Sequence, residues 1–454
     1  MVMGLGLLSV HNLSAQSRVL SLQNLVDAAQ TQQPSLLKKQ AQVSSAEAAV
    51  TEAKHINLPV LRIQDQVSLS SANSIPGTYF PMGMISTSGA IRPGNDYQPA
   101  SGNIAMLYSE YELENFGLNK ARLAEARINK ALDEADLSKE QYLVQLKTAR
   151  YYFQLLKAYR QLDVEADNVQ RYDTLFTIIS AQTASGIKAG ADSAQTRAEL
   201  SKARVAYNSR AGEITQLRQE LSFLTGIPET SVVIDTGLSR YPYLMDVSAG
   251  PEIPTDNTAN PLIDYYQRRK NTFVAKEKLI KKSYLPKILL AGGLWGRGSS
   301  ITNQDEYKSL SYGMAYQRFN YGIALAFNYN LFDVLHRHDK LAVNKFRLQQ
   351  SDYELQEQKL ALNTALNKAQ TAIDVIDKNR KELSVQVASA TDLYRQKLAQ
   401  YQAGVSNLVD LTNAAFLLHQ AKTDNIQIVT DWFLANLDKA AANGTLGPFI
   451  QSIK

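Results

Sequence analysis

Two aspartates, Asp192 and Asp410, stand at the same offset beyond a glycine, Gly186 and Gly404, and each glycine closes a long stretch free of helix breakers. An aspartate just past such a turn has two chemical uses. Its oxygen can cap the next helix by accepting from exposed N–H groups, or its charge can face water and draw in cations. The spacing leaves both open. Elsewhere the chemistry is thin. His336 and His338 are two apart on a helical stretch and point to different faces, which argues against a shared metal. Gly293, Gly296 and Gly298 are not followed by a helix carrying a suitable lysine, so they make no phosphate loop. Without cysteine there is no thiolate metal site, disulfide or cysteine nucleophile. The expectation is a chain that is not an enzyme and holds neither cofactor nor metal. Arg268, Arg269, Lys270, Lys276, Lys278, Lys281, Lys282 and Lys287 concentrate positive charge. They read as a solvated helix face or as a contact with phospholipid headgroups at the inner membrane surface.

The elements that must hold the two aspartates are used twice. Gln33-Pro34-Ser35-Leu36 opens a helical stretch ending at Leu58-Pro59, and Asn260-Pro261-Leu262 opens an equally long one ending at Leu285-Pro286. Each closing proline leads into a β-like run, a Gly/Ser/Tyr-rich segment and a second β-like run ending at Phe116-Gly117 or Phe332-Asp333. Neither Leu118 to Ser185 nor Asp333 to Ala403 contains Gly or Pro; as helices of about 70 residues they would each extend roughly 100 Å. Ala121, Ile128, Ala135, Tyr142, Ala149 and Leu156 recur by heptads, as do Ala124, Ala131, Ser138, Gln145, Tyr152 and Tyr159. These are coiled-coil seams with small residues. Pro228, Pro242, Pro251 and Pro254 mark residues 226–259 as a linker with little regular structure.

The strands carry the compartment. Phe319, Tyr321, Ile323, Leu325, Phe327, Tyr329 and Leu331 alternate with small or polar residues, so one face suits lipid and the other a watery lumen. Leu61, Ile63, Val67 and Leu69 alternate likewise, with Asp65 interrupting them. Residues 104–113 and 288–297 alternate poorly. No uninterrupted apolar stretch is long enough for a membrane helix, and the mean hydropathy is −0.26. The chain has 454 residues with 48 basic and 43 acidic side chains, a net charge of +5 that is spread out, so nucleic acid is not an expected partner. Val2 to Val10, followed by Leu13-Ser14-Ala15, resembles the apolar core and cleavage site of a secretory signal, placed at residues 1–15. Four strands cannot close a barrel, and open edges are not tolerated in hydrocarbon, so several chains must share one. The competing reading is a soluble periplasmic coiled-coil scaffold without channel activity.

The doubled pattern, with Gly186-Ile187-Lys188-Ala189-Gly190-Ala191-Asp192 and Tyr401 to Asp410 at the turns, resembles the TolC family of outer-membrane efflux proteins over nearly the whole chain. The resemblance implies an α+β membrane protein built from two αββα repeats. Three chains would share a twelve-stranded β-barrel in the outer membrane, four strands each, continued by a long α-helical coiled-coil barrel in the periplasm. The first repeat would occupy residues 16–225, with strands near 60–71 and 103–114. The second would occupy 260–440, with strands near 286–298 and 319–332, followed by a tail at 441–454. The implied partners are a periplasmic adaptor, an inner-membrane transporter and outer-membrane lipid. Under the same resemblance Asp410 lines the periplasmic gate, and Asp192 and Tyr401 belong to the links that hold it shut. Asn413 replaces a second aspartate and Ser406 an arginine of the latch. Gly186, Ile187, Lys188, Gly404 and Val405 correspond to turns that contact the adaptor, and Phe319, Tyr321, Ile323, Leu325, Phe327 and Tyr329 to the lipid-facing barrel.

Overall fold

The computed structural model describes residues 19–73, 91, 93–237 and 260–453, in two compact units: residues 1–45, 131–270 and 350–454, and residues 46–130 with 271–349. The expected signal at 1–15, the centre of the first long loop and residues 238–259 of the expected linker lie outside the described residues.

After a short helix α1 (Leu22–Gln32), both halves run helix, strand, strand, long helix, helix. The first half is α2 (Pro34–His55), β1 (Val60–Ser70), β2 (Ala100–Glu114), α3 (Leu118–Ala184) and α4 (Gly190–Thr225). The second is α5 (Pro261–Ser283), β3 (Lys287–Ser299), β4 (Arg318–Asn328), α6 (Asp333–Gln402) and α7 (Leu408–Asn443), with α8 (Leu446–Ser452) closing the chain. Both α2 and α5 start on a proline, where the missing N–H would have had no helical partner. Asn260 caps α5 by accepting the Leu262 N–H at 3.0 Å, and its amide donates to the Ala441 and Ala442 carbonyls at the end of α7. The absence of Gly and Pro lets α3 run for 67 residues and α6 for 70.

The helical unit is organised around α3 and α7. Tyr142, Ala149, Tyr152 and Leu156 of the α3 seams are buried, with Phe153 stacked on Phe433 at 5.0 Å between ring centroids. Two segments differ from the sequence expectation. Within the expected tail at 441–454, the described residues are mostly helical: α7 continues to Asn443, and Leu446, Phe449 and Ile450 of α8 are buried in the core because they are the apolar face of its two turns. The start of the linker is ordered too, since Val232 and Ile234 are buried and Ile234 bridges Leu20.

The second unit holds one antiparallel sheet in the order β1-β2-β3-β4, so β1 and β4 are its edges. Residues 300–317 fold back on its end: Ser101 N–H donates to Ser300 Oγ at 2.8 Å and Asn103 Nδ2 to the Met314 carbonyl at 3.0 Å. Lys276 pairs with Glu125 and Asn344 donates to the Phe273 carbonyl, fastening the helix ends around the sheet.

Candidate functional site

Register decides which side chains share a face of the sheet. Ile63 lies opposite Leu107, Leu107 opposite Leu294, and Leu294 opposite Tyr321; Leu61, Ser109, Gly292 and Ile323 form the next row on that face, and Tyr111, Leu290 and Leu325 the one after. Paired residues point the same way. One face therefore carries Leu61, Ile63, Val67, Leu69, Leu107, Tyr111, Leu290, Leu294, Phe319, Tyr321, Ile323, Leu325 and Phe327, every one exposed, with Ile63 at 85% and Ile323 at 81%. The other face bears Arg62, Gln64, Gln66 and Ser68 opposite Tyr108, Met106, Ile104 and Gly102, with Trp295, Arg297, Arg318 and Asn320 beyond them. The poor alternation of β2 and β3 is resolved by this pairing: their glycines and alanines leave gaps that the large residues of β1 and β4 flank. A continuous apolar face of this extent marks contact with lipid or another protein. Asp65 remains its charged exception, opposite Ala105. Tyr329 is a correction to the expected strand: β4 ends at Asn328, and Asn330 turns the chain by accepting the Phe332 N–H and donating to Asp333.

The two turns between long helices have the same stereochemistry. Gly186 has φ +76° and Gly404 φ +77°, the left-handed region where a side chain would be strained. Ile187 N–H reaches the Gln182 carbonyl and Gly186 N–H that of Thr183; Val405 N–H reaches Gln400 and Gly404 N–H reaches Tyr401. Both are Schellman caps, so the glycines satisfy otherwise orphaned carbonyls. The next residue, Ile187 or Val405, stands 70% or 79% exposed at the tip.

Neither aspartate is a cap. Asn407 caps α7, its Oδ1 accepting the Asp410 N–H at 2.8 Å, and the residue at the start of α4 is Ala189, which makes no side-chain cap bond. Asp410 and Asp192 lie in the first turns of α7 and α4, where the helix dipole favours a negative charge. Asp410 Oδ2 accepts from Ser406 Oγ at 3.1 Å and faces Lys397 Nζ at 3.5 Å. Asn413 is exposed on α7. Tyr401 is buried in a cluster with Tyr172, Leu175, Ile179, Leu200, Leu408 and Leu411, and its hydroxyl has no hydrogen-bond partner among the described residues. Lys188 Nζ lies 4.9 Å from the centroid of its ring. Burial, aided by the charge of Asp192, pushes the Tyr401 phenol up from its ordinary value. The structure thus joins Lys188, Asp192 and Tyr401 in one place and Asp410, Ser406 and Lys397 in another.

Sequence reasoning missed Lys397, and also the buried Glu165, whose carboxylate meets His419 Nε2 at 3.1 Å between α3 and α7. Lys397 is one helical turn before Tyr401, a spacing that could have suggested it. The basic cluster resolves differently: Arg269 pairs with Glu354, Lys270 with Asp352, Lys276 with Glu125 and Lys287 with Glu112, so much of its charge is already compensated.

Duplicated helix-strand-strand-helix units, a hairpin sheet with one exposed apolar face, and helices of 67 and 70 residues define a class of outer-membrane channel with helices in the periplasm. The chain belongs to the outer membrane efflux protein family, whose profile matches residues 25–227 and 278–438. Solved structures share the fold at low identity. The Campylobacter jejuni CmeC outer membrane channel matches at a TM-score of 0.74 with 16% identity, over 94% of this chain and 86% of that one. The open state of the Neisseria gonorrhoeae MtrE outer membrane channel matches at 0.68 with 19% identity, over 94% and 89%. CusC, described for conformational changes in folding and transmembrane channel formation, matches at 0.73 with 16% identity, over 93% and 92%. No curated protein matches the sequence.

Proposed function

We propose that three copies of this chain form the passive exit duct of a tripartite efflux or secretion system, with no reaction of its own. The apolar sheet face carries the reading. It faces lipid through Phe319, Tyr321, Ile323, Leu325 and Phe327, with Tyr329 at the aqueous boundary, and the opposite face lines the lumen. Edges β1 and β4 need partners in hydrocarbon, and three chains supply twelve strands. The exposed Phe346, Tyr353 and Leu360, one heptad apart on α6, support the same assembly. The tips, with Gly186, Ile187, Lys188, Gly404 and Val405, offer apolar side chains on rigid turns to a periplasmic adaptor, which an inner-membrane transporter would drive. Asp410, Asn413, Ser406, Asp192 and Tyr401 form the periplasmic gate. Membrane fractionation tests this: recovery from the outer membrane as a heat-sensitive trimer that conducts ions in planar bilayers is expected. A soluble monomer would overturn it and restore the scaffold reading.

A further inference from the structure

Asp410 sits where the duct reading places its gate, and the inference that follows rests on that reading. Three aspartates around one narrow mouth would make a strong cation trap, provided that nothing offsets their charge. In this chain something does. Lys397, near the C-terminus of α6, brings Nζ to 3.5 Å from Asp410 Oδ2. Ser406 donates to the same oxygen at 3.1 Å, and the Asn407 cap fixes the backbone from which the carboxylate extends. The anion sits in the first turn of α7, where the helix dipole favours it. The pair is half-exposed, with side-chain exposures of 31% and 43%, so its effect on stability is small. Its effect on the potential at the mouth does not depend on that, because one positive charge stands beside each negative one.

Internal duplication shows that the lysine is not part of the repeat's scaffold. The residue at the same distance before Gly186 is Ile179, which is fully buried. Of the other charges near the turns, Arg395 pairs with Asp392, Arg204 with Asp173 and Lys202 with Glu199, while Lys188 and Asp192 of the other turn bring one charge of each sign. Asn413, one turn beyond Asp410, adds no charge.

We propose that Lys397 is a selectivity-determining residue, which neutralises Asp410 and makes the periplasmic mouth of this duct nearly indifferent to the sign of its cargo. A carboxylate ring without it would favour cations and be blocked by multivalent ones. With it, anionic and neutral solutes meet no electrostatic barrier.

The test is the reversal potential of purified trimers in planar bilayers under a KCl gradient, with hexaamminecobalt(III) added on the periplasmic side. The wild type should show little preference and little block. Lys397→Met, with Lys397→Gln as a second variant should the first assemble poorly, should raise the cation-to-anion permeability ratio about tenfold, the lower end of what a cleft lined by one charge achieves, and introduce block. Adding Asp410→Asn to Lys397→Met should abolish both changes. A wild-type channel already strongly cation-selective, or conducting Lys397 variants with unchanged selectivity, would overturn the proposal while leaving the duct standing. Wild-type trimers that conduct nothing would overturn the duct itself and the proposal with it.

Discussion

Lys188 Nζ stands 4.9 Å from the centre of the Tyr401 ring, and through that contact the turn after α3 touches the last turns of α6. The helices on either side belong to different repeats, so this is a tie between the two halves of the duplication at the point where both reverse direction. A lysine from the first turn thus supplies a cation beside a tyrosine of the second.

Lys188→Met should therefore loosen the closed state. The contact is worth about 0.5–1 kcal/mol at a partly exposed site, so global stability should hardly change. Spontaneous conductance of single trimers should rise several-fold, and equal open probability in wild type and variant would show that the contact does not hold the turns together.

Alkaline pH should act on the same place. The Tyr401 phenol is raised by burial and by Asp192. Its neutral form is favoured in the fold, so that contribution is complete below the ordinary phenol value of about 10 and is lost as pH rises through the higher folded value. The comparison is with Tyr401→Phe. Melting curves between pH 9 and 12 should show a steeper fall for the wild type than for Tyr401→Phe, which also removes a buried hydroxyl without a partner among the described residues. Parallel curves would exclude a titrating Tyr401.

Glu165 offers a different kind of check, because its carboxylate is buried and His419 is its hydrogen-bond partner. His419→Ala should cost about 1–3 kcal/mol by leaving that acceptor unsatisfied. Glu165→Gln in the same background should recover part of the loss, as read by denaturant unfolding of the purified protein. A neutral His419→Ala would mean that water replaces the imidazole at no cost.

In the proposed duct, β4 separates lipid from lumen residue by residue. Ile323→Lys or Leu325→Lys should block appearance of the heat-sensitive trimer, since a lysine at mid-depth costs about 2–4 kcal/mol in each chain. Ala324→Lys or Ala326→Lys, on the opposite face, should still assemble. Equal damage from both pairs would identify a strand covered on both sides.

Much of this was written plainly in the sequence. The prolines at 34, 59, 261 and 286 frame the repeat, and the glycine-free stretches give the long helices. Alternation in β4 is legible because its large residues all fall on one face. In β2 and β3 it is not, because the apolar face there is assembled across strands by register, with Leu107 and Leu294 completing rows begun by Ile63 and Tyr321. Tyr329 continued the alternation by composition, while the Asn330 side chain had already turned the backbone. At the turns the residue types were visible and their partners were not. The cap and charge uses of Asp410 stayed open until the backbone put Asn407 at the cap, and the pairing of Lys397 with Asp410 spans a turn whose geometry depends on Gly404 in the left-handed region.

The central claim is that the edges of this sheet are closed by other copies of the chain, and the natural absence of cysteine makes it directly measurable. Cysteines introduced in pairs, one at Arg62, Gln64, Gln66 or Ser68 of β1 and one at Asn320, Gly322, Ala324 or Ala326 of β4, can be oxidised in intact outer membranes. At the pair in register, the account predicts covalent dimers and trimers and nothing larger, with single-cysteine controls remaining monomeric. Monomers from every pair, or a ladder running past three, would contradict it.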